Sequence, residues 1–149
     1  MALALVATMC AGIFAGAAIY ITLVEHPARL SCGTAIAIRE FGPSYRRATV
    51  MQASLAFFGT FAALDAWRQS GDARLLAGGL LLGAVVPFTL VVIAPTNRHL
   101  TSAALAPESD EALGLLQRWG RLHAVRTVLS AVAFVLFLLS VASGRPAVA

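Results

Sequence analysis

Charge is scarce in this sequence, and lysine is absent from it. Of 149 residues, 12% are charged and 59% are hydrophobic, and the eleven Lys+Arg positions are all arginine. A soluble domain carries about 25% charged residues, so a water-facing globule is excluded and a membrane protein is indicated. The arginines form no basic run interleaved with aromatic residues, which argues against nucleic acid as a partner.

Motifs for disulfide and metal chemistry are also missing. The two cysteines, Cys10 and Cys32, form no CxxC pair, so a disulfide framework is not supported. No HxxxH, HxH or ExxH spacing occurs within a single predicted helix. A metal would need ligands from separate helices, which spacing alone does not establish. That set would be His26, His99, His123 and Glu25.

What the chain has instead is four long uncharged runs. A run of about 18 apolar residues is a candidate to cross a bilayer, and the predicted spans cover residues 2–24, 48–67, 75–95 and 124–143. The first run is too long for the ~7–15-residue core of a signal peptide, so we expect it to be retained. These runs predict an all-α fold, an integral membrane four-helix bundle, in a single domain spanning residues 1–149.

The connections between the spans are predicted to be unequal. Residues 69–72 have the chemistry of a tight turn. The connections at about 25–47 and 95–126 are longer and emerge on one face, and Gly42 and Pro43 are expected to interrupt the first. In the second, Ser109 or Asp110 is predicted to cap a helix that runs on into the last span.

Arginine is distributed unequally between the two faces. The face with the long connections holds eight arginines, and the other holds Arg68, Arg74 and Arg145. The positive-inside rule then places the long connections in the cytoplasm and both termini outside. We expect the membrane to be the bacterial inner membrane. The sequence leaves the oligomeric state open.

Polar residues gather where the spans meet the long connections. Residues spaced three or four apart share a helical face, and helices in a bundle lie roughly 8–10 Å apart, so these groups are expected to converge. They are Thr22, Glu25 and His26; Tyr45, Thr49 and Gln52; Thr96, Asn97, Arg98 and His99; and Trp119, His123 and Arg126. A purely structural interpretation has Arg126 paired with Glu25 and capping the helix ends, with His99 solvated.

The segments that carry these groups resemble the anthrone oxygenase family. They are residues 15–29, 45–52, 93–97 and 119–127, and the resemblance covers nearly the whole chain. The family consists of small four-pass membrane proteins. Its characterised members act in polyketide pathways, where they oxidise the central methylene of an anthrone to a carbonyl with O₂.

The resemblance implies a membrane-embedded oxygenase acting on an activated aromatic, polyketide-like carbon. It implies a small apolar aromatic substrate, O₂ as co-substrate and no required cofactor. A histidine with Glu25 as its orienting partner would be the general base, and Arg126 and Asn97 would stabilise the enolate oxygen. The catalytic set would be Glu25, His26, Asn97, His123 and Arg126, and the substrate-binding set Tyr45, Thr49, Gln52 and Trp119.

Two other functions remain open from the sequence. Copper or iron at the histidines would make the protein a metal-dependent membrane oxidase or oxygenase. A non-catalytic structural or partner-binding membrane protein is the third possibility. An apolar cavity that opens toward His26 and His123 would favour the enzyme.

Overall fold

The structure is a computed structural model that describes residues 1–144. Arg145, one of the three arginines counted for the second face, lies outside the described residues. All regular structure within residues 1–144 is helical. The elements are α1 (Ala2–Tyr20), a first π-turn (Ile21–Glu25), α2 (His26–Ser31), α3 (Thr34–Ser70), α4 (Ala73–Phe88), a second π-turn (Thr89–Ile93), α5 (Ala94–Leu100) and α6 (Asp110–Ala142).

Four long rods pack side by side into a bundle, which confirms the predicted fold class. The rods are α1 with α2, α3, α4 with α5, and α6. α1 packs on α3 and α6, and α4 packs on the same two helices from the other side. Small and apolar side chains fill the centre, among them Ala7, Ala11, Phe14, Leu82 and Phe137.

Three of the four rods are long and apolar enough to cross a membrane. They cover Ala2–Ser31, Ala73–Leu100 and Asp110–Ala142. The remaining predicted span, 48–67, lies within α3, which is not among the three. Its passage through the bilayer therefore stays a prediction.

The first long connection is helical over most of its length. The chain leaves helix only around Cys32 and Gly33, where Gly33 takes a φ of 93° that favours glycine. α3 then runs without a break through Gly42 and Pro43, so the predicted interruption there is wrong. Proline is tolerated in such helices when neighbouring groups satisfy the freed carbonyl.

The second long connection is helical at both ends. Only residues 101–109 lie outside helix. The predicted cap is confirmed, because the Ser109 hydroxyl accepts a hydrogen bond from the Ala112 amide at 3.1 Å. α6 then continues without interruption to Ala142, as expected.

Two π-turns end the apolar parts of the first and third rods. In the first, the His26 amide donates to the Ile21 carbonyl, and in the second, the Ala94 amide donates to the Thr89 carbonyl. Each turn therefore carries one extra residue, and each is followed by a helix with proline in its first turn. π-turns inside helices are frequent at functional sites.

Candidate functional site

Buried polar side chains lie at the end of the bundle that contains the π-turns. They come from every rod, and each is less than a tenth exposed. The set comprises His26, Arg29, Gln52, Thr96, Asn97 and His123. Polar groups away from water are costly unless they are paired, so their contacts indicate what this end of the protein does.

Arg29 is the centre of an ionic cluster between α2 and α3. Its guanidinium contacts the carboxylates of both Glu25 and Glu40. Ser44 donates to Glu25 Oε1 at 3.0 Å and lies 3.4 Å from Arg29 Nη2. A buried arginine needs such counter-charges, so this cluster fixes α2 against the start of α3.

His123 is held by a chain of hydroxyl groups. Thr22 Oγ1 lies 3.1 Å from His123 Nδ1 and 2.8 Å from Thr127 Oγ1. Thr127 Oγ1 lies 3.2 Å from two backbone carbonyl oxygens, that of Ala18 and that of His123, and can donate its proton to either.

These hydrogen bonds are compatible with a defined histidine tautomer. When Thr127 donates to a carbonyl, it accepts from Thr22, and Thr22 then accepts from His123 Nδ1–H. We infer that Nδ1 carries the proton and that Nε2 has a free lone pair.

Trp119 packs against both histidines of the site. Its ring lies 4.8 Å from that of His123 in a stacked arrangement and 5.2 Å from that of His26. Phe41 closes the stack edge-on, with ring centroids 5.2 Å apart. His26 fits against Gly120 so closely that a Cβ there would come within 2.6 Å of its Nε2.

Arg126 and Gln52 join α6 to α3. Arg126 Nη2 donates to Gln52 Oε1, and the guanidinium lies 5.5 Å from the centre of the Phe14 ring. The expectation that Arg126 pairs with Glu25 is therefore wrong. Glu25 is engaged by Arg29, which is four residues away on the same rod and can reach it directly.

A narrow cavity, here called the polar cavity, connects these groups. Its volume of about 20 Å³ has room for about one water molecule. The walls contain most of the predicted substrate-binding and catalytic side chains. They include Glu25, Arg29, Tyr45, Thr49, Gln52, Trp119, His123 and Arg126.

His26, Asn97 and His99 are not part of this wall. His26 lines a separate opening between α2 and α6, which it shares with Thr22, Trp119 and His123. Asn97 is buried, yet neither its Oδ1 nor its Nδ2 has a hydrogen-bond partner. His99 is exposed in the last turn of α5, as the structural interpretation expected.

The residues considered as metal ligands do not converge. Within residues 1–144 no group of three or more His, Cys, Asp or Glu side chains is placed to hold a metal ion. The conditional set of His26, His99, His123 and Glu25 is therefore not assembled. Glu25 is occupied by Arg29 and Ser44, and the rings of His26 and His123 each pack against Trp119.

Sequence reasoning missed several residues that build the site. Arg29 was counted only among the eight arginines used to orient the chain, although its spacing of four from Glu25 is a usable signal for a pair. Glu40, Ser44 and Thr127 gave no such signal, because their partners lie on other helices.

Comparisons with known proteins agree with the resemblance described above. A family model described as anthrone oxygenase matches residues 41–136. A curated anthrone oxygenase from Claviceps purpurea (strain 20.1) is 32% identical over 91 residues, covering 55% of this chain and 52% of the relative. The chain thus spans about half the length of that relative. No solved structure matches.

Proposed function

The chain belongs to the anthrone oxygenase family, and from that premise we propose that it oxidises an activated aromatic methylene to a carbonyl with O₂. The observation that carries the proposal is the pairing of His123 and Arg126 on one wall of the polar cavity. An imidazole lines the same space as a guanidinium that is hydrogen-bonded to Gln52. That combination suits removal of a proton and stabilisation of the resulting enolate.

His123 is the base in this proposal, rather than His26. It lines the polar cavity with Arg126, and its Nδ1 is held by Thr22 at 3.1 Å. His26 lies against Gly120 and Trp119 and does not line this cavity. We assign His26 a supporting role in placing the Trp119 ring.

Arg126 and Gln52 hold the enolate oxygen. Both line the polar cavity, and both carry donors that would point to a developing negative charge in a water-poor site. Asn97 was expected to share this task. It does not line the cavity, and the proposal does not use it.

The reaction balances without a further reactant. Proton transfer to His123 leaves an anion delocalised over the rings and the ketone oxygen. This anion gives one electron to O₂, and the two radicals combine to a peroxide anion. His123 returns its proton to give the hydroperoxide, and loss of water leaves the new carbonyl. The methylene loses four electrons in total, one oxygen atom is retained and the other leaves as water.

Glu25 acts on the reaction indirectly, through Arg29. It keeps Arg29 neutralised beside the polar cavity, so Arg126 remains the cation available to the substrate oxygen. Tyr45 and Trp119 would provide the flat walls for an aromatic ring. Thr49 lies at the edge of the cavity, next to Gln52.

Histidine substitutions test the proposal directly. We expect His123→Gln to lower the rate of anthraquinone formation from anthrone by at least 100-fold, because general base catalysis contributes about 10²–10⁴. The protein is placed in lipid nanodiscs, and quinone absorbance and O₂ uptake are followed, with empty nanodiscs subtracted for autoxidation. His99→Gln is the matched control, since His99 is exposed and outside the cavity.

A chelator separates this proposal from a metal-dependent one. Prior dialysis against a strong chelator is expected to leave the rate unchanged. A rate that falls on dialysis and returns with copper or iron would contradict the proposal, as would a His123→Gln variant with undiminished turnover.

A further inference from the structure

The polar cavity is too small for the substrate that the proposed function requires. Its volume of about 20 Å³ accommodates a water molecule, whereas ligand pockets measure about 300–1,000 Å³. A three-ring ketone that occupies the polar cavity must therefore displace side chains. The structure contains a second cavity that indicates where this occurs.

This second cavity, here called the outer groove, lies along the seam between α3 and α4. It has a volume of about 90 Å³ and is lined largely by apolar side chains, among them Phe14, Ala56 and Val85. Its rim includes Leu90, which is 67% exposed, and Val86. A groove with an apolar rim on the outside of a membrane bundle faces the hydrocarbon of the bilayer.

Three residues line both cavities. Thr49, Gln52 and Arg126 belong to the walls of the polar cavity and of the outer groove. The hydrogen bond from Arg126 to Gln52 therefore forms part of the partition between the two spaces. The guanidinium also lies 5.5 Å from the centre of the Phe14 ring, on the side of the outer groove.

This partition has hydrogen-bonding capacity that the protein leaves unused. Gln52 Nε2 and Arg126 Nε are buried and have no hydrogen-bond partner within residues 1–144, and Gln52 is only 2% exposed. In a lipid environment an unsatisfied donor is costly. Two such donors on residues that line both cavities indicate a ligand that brings an oxygen acceptor.

We propose that the outer groove is a lateral entrance for a flat aromatic ligand with one ketone or phenolate oxygen, and that the Gln52–Arg126 pair is its gate. The rings enter from the bilayer between α3 and α4, and the ligand oxygen takes the place of Gln52 Oε1 on the guanidinium. The pair then separates, and the two cavities become continuous. The binding step does not depend on the proposed oxidation, but the identity of the ligand class rests on it.

Ligand binding without turnover tests the entrance. Anthraquinone, which has the rings and the ketone oxygen but no acidic methylene, is titrated into the protein in nanodiscs. Quenching of Trp119 fluorescence reports binding in a Trp67→Phe background. We expect Ala53→Phe, which fills the groove from its exposed lipid side, to raise the Kd or slow association at least tenfold.

Ala84→Phe is the matched control for the entrance. Ala84 is also exposed to lipid but belongs to α4 outside the groove lining, so its Kd is expected to stay within twofold of the parent. If Ala53→Phe bound anthraquinone with the same Kd and association rate as the parent, the proposed entrance would be overturned. Absence of anthraquinone binding to the parent would overturn it as well.

A charge change at position 52 tests the gate. In Gln52→Glu the new carboxylate forms an ion pair with Arg126 that a neutral ketone cannot displace. We expect association of anthraquinone to slow at least tenfold. Unchanged association would overturn the gate, and displacement of anthraquinone by oleate at equal concentration would indicate a fatty-acid carboxylate as the occupant instead.

These measurements separate the entrance from the proposed oxidation. Binding through the groove with no oxidation of anthrone would contradict the proposed function but not the proposed entrance. Oxidation that continues at the parental rate in Ala53→Phe would contradict the proposed entrance but not the proposed function.

Discussion

At the residue scale, the site depends on each buried polar atom having one suitable partner. His123 illustrates this, because its Nδ1 is held by Thr22, which is held by Thr127, which is satisfied by a backbone carbonyl. Each hydroxyl has one proton to donate. When Thr127 donates to a backbone carbonyl, the donors of the Thr22–Thr127 and His123–Thr22 hydrogen bonds are therefore set as well. The tautomer of His123 then depends on a carbonyl that is three hydrogen bonds away.

Removing one hydroxyl should expose this dependence. We expect Thr22→Val to lower kcat about tenfold or more with little change in KM, because Nδ1–H loses its acceptor and the tautomer is no longer held. Steady-state kinetics with anthrone in nanodiscs give both constants.

Thr22→Ser is the control for that variant, since it retains the hydroxyl and should restore most of kcat. A Ser variant as poor as the Val variant would mean that Thr22 acts through packing and not through His123.

The residue types of the site could be predicted from the sequence, but their partners could not. Spacings of three and four placed Tyr45, Gln52, His123 and Arg126 on inward faces, and all four line the polar cavity. Pairing is decided by distances between helices, which periodicity does not contain. The expected contact of Glu25 with Arg126 was wrong for that reason.

At the scale of the element, α6 shows how a glycine allows a helix and a side chain of the site to pack closely. Gly120 brings the backbone of α6 against the His26 ring, and a Cβ at this position would come within 2.6 Å of Nε2 and 2.8 Å of Cδ2. The same helix contains Gly114, where a Cβ would meet nothing within 4 Å. One helix thus offers a close contact and an open position for comparison.

The two glycines should respond in opposite directions to the same change. We expect Gly120→Ala to destabilise the protein by about 1–3 kcal/mol through overpacking against His26. Gly114→Ala should stabilise it by up to about 1 kcal/mol, because alanine favours helix more than glycine does. Thermal unfolding in detergent, followed by Trp fluorescence, measures both.

A Gly120→Ala variant as stable as the parent would show that His26 can move aside without cost. In that case His26 would not be fixing the position of Trp119, and its supporting role would be removed.

Element boundaries near proline were the least predictable part of the fold. Pro43 was expected to interrupt the first long connection, yet α3 runs through it. A soluble helix would lose a hydrogen bond at this position. Within a packed bundle, neighbouring helices offset that loss, and such packing is invisible in the local sequence.

At the scale of the whole molecule, the end opposite the site is closed by a polar clamp. Asp72 caps α4 through the Arg74 amide and also contacts the Arg74 guanidinium at 2.8 Å. Ser140 of α6 donates to the same carboxylate at 2.7 Å. Arg74 reaches on to the Leu139 carbonyl and the Ser143 hydroxyl, so one carboxylate connects the α3–α4 turn to the end of α6.

This clamp should make the stability of the bundle depend on pH. The Arg74 guanidinium, the Ser140 hydroxyl and the Arg74 amide hold the pKa of Asp72 well below its ordinary value of 3.8. A lowered carboxyl pKa contributes stability that is complete above the unfolded pKa and is lost as pH falls through the folded pKa. We therefore expect the unfolding midpoint to be insensitive to this group above about pH 5 and to fall below about pH 4.

Asp72→Asn should remove that acid-dependent component and cost about 1–3 kcal/mol at neutral pH. Thermal unfolding in detergent at several pH values between 7 and 3 compares the variant with the parent. Asp65→Asn is the control, because Asp65 is exposed and, in the described part of the chain, its side chain accepts one hydrogen bond, from exposed Gln69 at 3.2 Å. Identical pH profiles for the parent and Asp72→Asn would contradict the clamp.

The overall architecture could be predicted from the sequence because membrane spans are long and uncharged. Three of the four predicted runs lie in helices that can cross a bilayer. The run in α3 is weaker since Thr49, Gln52 and Thr60 interrupt it, and two of these line the polar cavity and the outer groove. The cytoplasmic placement of the long connections stays a prediction.

Because of the π-turns, the site depends on how many residues each turn contains as well as on which residues they are. A single extra residue between Ile21 and Glu25 creates the wide turn. Deleting it would restore ordinary helix and rotate everything downstream by about 100°, which would carry His26 and Arg29 away from their partners. In an alignment of relatives, a one-residue gap in this turn would therefore be more informative than most substitutions. A relative with the gap could contain the same site residues and still be unable to bring them together.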